Sequence, residues 1–340
     1  MIDSQLPLSL LAAVLAALLS AVLILITRPL LLRHALAKPN ARSSHRIPTP
    51  QGAGIGVIAA TLIVAAAVIV FSGAKDASIP IALFGATMFI AAVGLADDVR
   101  FIPVLPRLVL QGLAVAAVIF AAPDDLRIVP ACPLWIERVL TLLAGLWFVN
   151  LVNFMDGLDL MTVAEAVPIS AAVVLLGWLD GAATSTTIVA AALCGAMLGF
   201  APFNRPVARI FLGDVGSLPI GLLLGWLLLQ LAWHQQFAAA LLLPLYYLAD
   251  ATATLLRRLV RREPFWAAHR THYYQRATDN GFTVWQVVGK VFTLNLVLAA
   301  LAIVSMRAQQ AGVQAMLVAI GGILVVFVML HFSRPRARKS

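Results

Sequence analysis

The chain has 340 residues, 62% of them hydrophobic and 11% charged, and a formal net charge of +9. Soluble domains carry about 45–50% apolar and about 25% charged residues, so water cannot be the solvent for most of this surface and a soluble globular protein is excluded. In a membrane protein the basic surplus favours lipid headgroups and phosphorylated substrates as partners over nucleic acid.

Eleven apolar runs follow one another in chain order, at 6–27, 53–72, 78–96, 107–122, 135–152, 162–179, 183–201, 216–233, 237–256, 284–304 and 312–332. Each approaches the roughly 20 residues needed to cross a bilayer as a helix. The expected fold is therefore all-α and polytopic, a single transmembrane domain over 1–340. No Lys or Arg precedes the first run, whereas Arg28 and Arg33 follow it. That order predicts a retained helix with its N-terminus outside. Alternation then places loops 28–52, 97–107, 153–162, 202–216 and 257–283 and the basic tail 333–340 on the cytoplasmic side, where, counting Lys290 just beyond the last loop, 20 of the 24 Lys and Arg fall, as the positive-inside rule requires. Cys132 and Cys194 lie at different depths, which argues against a disulfide and supplies too few thiols for a metal site. No internal repeat is visible, against an inverted-repeat transporter.

The acidic residues gather at the same inner face. Asp97-Asp98 ends the third run. Helix neighbours point about 100° apart, so one of the pair is expected to face a metal or phosphate and the other a basic or backbone partner. Asn150, Asn153, Asp156 and Asp159 close the fifth run, with Gly157 as a break that brings them to one side. Their oxygens suit a hard cation such as Mg2+. Asn204 precedes Gly213-Asp214-Val215-Gly216-Ser217 at the entrance of the eighth run, where free helix amides favour phosphate. For each of these acids, helix capping is the plain alternative.

Asp250 lies seven residues before Arg257 in the ninth run. An intramembrane carboxylate is functional by default, and a structural partner on another helix is its alternative. The last inner loop concentrates donors for a diphosphate or uracil at His269, Arg270, Thr271 and His272, with Tyr274, Gln275 and Arg276 behind them. A zinc site fails for want of further ligands.

In order and spacing these segments resemble the polyprenyl-phosphate N-acetylhexosamine-1-phosphate transferase family (glycosyltransferase family 4), over residues from about 45 to 276. His45 to Pro50 with Gly52 and Gly54 looks like its early cytoplasmic loop, Asp97-Asp98 its acidic pair, Asn150 to Asp159 its asparagine-aspartate segment, Gly213 to Ser217 its GDxGS signature and His269 to His272 its histidine loop. The resemblance implies an enzyme of a bacterial inner membrane with its active site on the cytoplasmic face. It would move a hexosamine 1-phosphate from a UDP-N-acetyl sugar to undecaprenyl or another polyprenyl phosphate and release UMP. Mg2+ is the implied cofactor, with Mn2+ as a substitute, and a homodimer is allowed.

Carried over residue by residue, the resemblance gives Asp214 and Asn153 to the metal and one of Asp97 and Asp98 to the lipid phosphate. Asp156 and Asp159 go to nucleotide or metal positioning, and Arg270 with His272 to the diphosphate. His45, Asn150, Asn204, Gly213, Ser217 and His269 become further substrate contacts. Whether a covalent aspartyl intermediate forms is left open. Phe101 stands where some members have an acid, Leu160 where many have glycine, and Gln51 and Ala53 where arginine and glycine are more usual. The histidine loop lacks the consecutive histidines of the peptidoglycan branch. These departures favour an initiator of O-antigen or capsule type. The competing readings are an ion-coupled transporter, which would place its acids near the midplane, and an intramembrane prenyltransferase, which would need a second Asp-rich repeat.

Overall fold

The computed structural model describes residues 2–37, 48–73, 80–180, 184–263, 269–308 and 310–336, with the side chains of 2–5, His34 and Asp180 left aside. It is an all-α bundle. In chain order the helices are α1 (Ile2–His34), α2 (Gly54–Ser72), α3 (Ile81–Val99), α4 (Val104–Phe120), α5 (Leu134–Met155), α6 (Met161–Asp180), α7 (Thr184–Phe200), α8 (Asp214–Trp233), α9 (Phe237–Leu242), α10 (Leu245–Val260), α11 (Tyr273–Asp279), α12 (Val284–Arg307) and α13 (Ala311–Ser333). Nine of these, among the described residues, are long and apolar enough to cross a membrane, and α4 is shorter. The chain is thus a multi-pass membrane protein.

Ten of the eleven apolar runs each become one helix. The ninth, 237–256, is instead two helices broken before Pro244, which stands at the N-cap of α10. Proline lacks the amide that would continue the ladder and clashes with the preceding turn. α10 buries Tyr246, Tyr247, Asp250, Ala251, Thr254 and Arg258 along one face. Leu256 and Leu259 are left exposed, the one-sided pattern of an amphipathic helix.

α8 is the central pillar. It is apolar on all sides and buried from Val215 to Leu224, as expected for a helix enclosed by others. α3 and α5 pack on it, and α2 and α7 join it to α1. The approach of α3 is set by Gly94, where a Cβ would lie 2.2 Å from the Asp214 carbonyl oxygen.

Hydrogen bonds show which helix ends share a side. The end of α3 meets the start of α8 (Asp214 N–H to Asp98 Oδ1, 3.0 Å), as does the end of α5 (Asn153 Nδ2 to Asp214 Oδ1, 2.8 Å). A short antiparallel pair, β1 (Leu36–Ala37) and β2 (Thr49–Pro50), follows α1. The segment after β2 is pinned beside α8, since Gly52 and Ala53 N–H both donate to Phe211 O at 3.0 Å. At the other end of α8, Gln235 Nε2 donates to Arg127 O. Near that loop Glu137 accepts from Ile128 N–H at 2.7 Å and Arg127 Nε at 3.1 Å. Arg336 N–H bonds Asn280 O, which returns the C-terminal end of α13 to the side of α11.

Candidate functional site

The ends of α3 and α5, the start of α8 and the loops beside them enclose a cavity of about 600 Å3. Asp98, Asn153, Asp156, Asp159, Asn204, Gly213, Asp214 and Ser217 line it, together with Gln51 and Gln275. Residues 51 to 275 of the sequence therefore meet in one place, and each arrives at a helix end or in the loop next to it.

The start of α8 is built around Asp98. Its Oδ1 accepts the Asp214 N–H and its Oδ2 the Val215 N–H, both at 3.0 Å. Both oxygens are spent on the amides that sequence reasoning had reserved for phosphate, so Asp98 caps α8 across the fold and those amides are taken. Asp97 also has partners, Arg107 Nη1 at 2.7 Å and the Ile102 N–H at 2.7 Å. Arg107 Nη1 in turn lies 3.7 Å from Asp214 Oδ2. Arg107, in the sequence one of the basic residues of loop 97–107, is the cation that bridges two of the acids.

Asn153 Nδ2 donates to Asp214 Oδ1 and Ser217 Oγ, each at 2.8 Å, which leaves the amide oxygen for a ligand. Gly213 makes the turn into α8 at φ +76°, and a Cβ there would stand 2.6 Å from Asp98 Oδ2. Gly213→Ala combines a left-handed backbone with that collision, so it is expected to lower thermal stability and to reduce turnover together. An alanine variant with the wild-type Tm would overturn the packing described.

α5 ends at Met155, and the chain turns through Asp156 to Leu160. Leu160, at the position where the resembling family often has glycine, adopts φ +62°, a conformation that glycine takes without steric cost. Its N–H donates to Asn204 Oδ1 at 2.6 Å, and Asn204 Nδ2 donates to Ile210 O at 3.0 Å. Asn204 therefore ties two loops of the wall together with its amide. Asp159 Oδ2 accepts from the Ala208 N–H at 3.1 Å.

The Thr162 hydroxyl donates to Asp156 Oδ1. Burial pushes the Asp156 carboxyl up to about 7, the charges of Asp214, Asp98 and Asp159 add to the rise, and the Thr162 bond opposes it. A carboxyl raised in the folded state holds a proton that the unfolded chain has already released, so it costs stability as pH climbs from its ordinary value toward 7. With no divalent ion added, Tm is expected to fall across that window, and to fall less in Asp156→Asn. Parallel profiles for the two proteins would remove Asp156 as the cause.

Three expectations change. Asn150 faces away from the cavity: its Nδ2 donates to Gln111 Oε1 and Leu146 O, both at 2.8 Å, inside the bundle. Arg270 pairs with Asp279 Oδ1 at 2.9 Å and Thr278 Oγ1 at 2.9 Å on α11, and it is absent from the cavity wall. His272 is buried, with Nδ1 3.3 Å from Asp250 Oδ1. Asp250 resolves to its structural alternative, since it accepts the Tyr273 and Tyr274 N–H groups at 2.9 and 3.1 Å and so caps α11.

His269 stacks on His272 with ring centres 4.9 Å apart. Burial lowers it to about 4, helped by His272 and the Arg258 and Arg257 charges, so it is a neutral imidazole at neutral pH. The histidine loop acts on the cavity through α11, where Tyr274 Oη donates to Phe154 O at 3.1 Å and Gln275 reaches the wall. His45 lies outside the described residues.

Among the described residues no three His, Cys, Asp or Glu side chains form a metal cage. What the cavity offers is hard oxygen donors, Asp214 and the Asn153 amide oxygen, in an excess of carboxylates. That suits an ion such as Mg2+, which keeps several waters and binds few protein groups.

The cavity thus gathers carboxylates and amides at helix ends, and the proteins that the sequence resembles are named as transferases. Residues 80–232, somewhat under half of the chain, match the model of glycosyl transferase family 4. The chain is 23% identical over 305 residues, covering 84% of each chain, to a probable undecaprenyl-phosphate N-acetylglucosaminyl 1-phosphate transferase of Bacillus subtilis. It is 28% identical over 169 residues to the phospho-N-acetylmuramoyl-pentapeptide-transferase of Limosilactobacillus fermentum, covering 50% of this chain and 52% of that one. The enzyme of the same name from Neisseria gonorrhoeae is 26% identical over 224 residues, 58% and 61% of the two chains. The chain thus spans about half the length of the Limosilactobacillus relative, and the relatives come from both branches of the family.

Proposed function

We propose that this protein transfers an N-acetylhexosamine 1-phosphate from a UDP-sugar to undecaprenyl or another polyprenyl phosphate, releasing UMP. The lipid-diphosphate-sugar product would begin an O-antigen or another envelope polysaccharide. The observation that carries this reading is the meeting of Asp98, Asn153, Asp156, Asp159 and Asp214 around one cavity. It lies at the end of the bundle that holds Arg107, Arg257 and Arg270. By the charge bias of the loops that end faces the cytoplasm of a bacterial inner membrane.

In this reading the lipid phosphate attacks the β-phosphorus of the nucleotide sugar. Asp214 and the Asn153 oxygen would hold Mg2+, which would offset the repulsion between the two phosphorylated substrates. Asp98 fixes Asp214 at the helix start, and Arg107 sets the carboxylates of Asp97 and Asp214 relative to each other. Asp156, near 7, is matched to taking a proton from the lipid phosphate at neutral pH, a role that the partners of Asp97 and Asp98 leave to it. Asp159 and Gln275 orient the nucleotide. An apolar cavity of about 650 Å3 between α4, α5, α8, α9 and α10, with Val118, Leu140, Phe148, Leu222 and Trp226 on its wall, suits the prenyl chain.

The test is UMP release by purified protein from a panel of UDP-N-acetyl sugars, including the muramoyl pentapeptide, with undecaprenyl phosphate and Mg2+. Release from a simple N-acetylhexosamine donor is expected. No release from any donor would overturn the reading, and release from the pentapeptide alone would move the chain to the peptidoglycan branch.

A further inference from the structure

Beneath the cavity, on α6, α10 and α12, lies a group of polar side chains that none of the steps above uses. Glu165 on α6 and Asn295 on α12 are each 1% exposed, and Tyr247 on α10 is fully enclosed. Asn295 Nδ2 donates to Glu165 Oε2 at 2.6 Å and to Ala164 O at 2.9 Å. Glu165 Oε1, Asn295 Oδ1 and Tyr247 Oη have no hydrogen-bond partner among the described residues. Tyr247 lies within electrostatic reach of both Glu165 and Asp156, beside Thr162.

A carboxyl inside a membrane bundle is costly and marks function by default. If it served only to tie α6 to α12, an apolar pair would do so without leaving three buried polar atoms short of partners. Such a set, an acid, an amide oxygen and a phenol around one spot, matches the two to four polar partners of a buried water molecule. Thr162 and Glu165 are three residues apart on α6 and so share a face. Thr162 is also the residue whose hydroxyl holds Asp156 in the cavity.

We infer that Glu165, Asn295 and Tyr247 form a water-bridged buttress that positions Thr162 and, through it, the Asp156 carboxyl, so that Glu165 is a positioning residue for the reaction. The inference rests on the transferase reading. It differs from that reading in what it requires, since the buttress acts only through Thr162.

The experiment is a double-mutant cycle on kcat/KM for UMP release, with Tm measured on every protein. Glu165→Leu and Thr162→Val are each expected to lower kcat/KM about tenfold. The double variant should be no worse than the weaker single, because both break the same line to Asp156. Glu165→Gln keeps a donor and an acceptor in place and is expected to stay within about threefold of wild type. Should Glu165→Leu fail to fold, Tyr247→Phe removes one hydroxyl only and is expected to show the same non-additivity with Thr162→Val.

Losses that multiply to about a hundredfold would overturn the inference. So would a lower Tm with unchanged kcat/KM, the mark of a mere helix tie. Wild-type protein without UMP release would instead defeat the transferase reading itself, and the cycle is scored only against active wild type.

Discussion

Asp214→Asn is expected to cut UMP release by about 100-fold or more while leaving the purified protein monodisperse and its Tm close to wild type. The fold tolerates the change because the cap of α8 comes from Asp98 and not from residue 214. An asparagine oxygen can also still accept the Asn153 amide, which lies 2.8 Å from Asp214 Oδ1. What is lost is a negative charge beside Arg107 and, in the proposed mechanism, the ligand of Mg2+. Metal stabilisation of transition-state charge is worth several kcal/mol, and each ~1.4 kcal/mol is tenfold in rate. A Mg2+ titration is the decisive measurement. Activity within a few-fold of wild type at ordinary Mg2+ would remove Asp214 from the metal site, and partial recovery at high Mg2+ or Mn2+ would support it there.

Asp98→Ala should behave differently, losing activity and stability together. The side chain satisfies two backbone donors at the start of the central helix. Loss of a helix cap costs about 0.5–2 kcal/mol, and donors left without partners add about 1–3 kcal/mol. The start of α8 then loosens, and Asp214 with it. Asp98→Asn keeps one acceptor oxygen and turns an NH2 group toward the second donor, so it should fall between wild type and alanine in Tm. An inactive Asp98→Ala protein with an unchanged Tm would mean that Asp98 acts on the substrate directly and that the cap is incidental.

The helices were legible in the sequence because the bilayer demands long apolar runs and the sequence supplies them. The break in the ninth run was carried by Pro244, hidden inside an otherwise continuous apolar stretch. At the site, the position of Asp156, Asp159 and Asp214 at run ends pointed to one shared face, and one cavity brings them together. Partners could not be read in the same way. Asn150 and Asn153 look equivalent in the motif, yet one points to Gln111 inside the bundle and the other to Asp214. The difference is a rotation around α5 that depends on where α4 and α8 pack. Arg270 and His272 looked like phosphate donors because nothing in the sequence pairs them with Asp279 and Asp250, as the fold does. Arg107 was overlooked because an arginine at an inner helix end is ordinary in any membrane protein.

The two carboxylate caps also differ in when they can form. Asp250 lies 23 and 24 residues before the amides it holds at the start of α11, so it meets them almost as soon as they leave the ribosome. Asp98 lies 116 residues before the Asp214 amide. At about 5–20 residues per second of synthesis, α3 is made many seconds before α8, and its terminal acid must wait at the membrane surface while four further helices are inserted. The acids around the cavity are thus joined by the arrival of one late helix, and a chain halted before residue 214 would hold most of them without the helix start to which Asp98 and Asn153 are bonded.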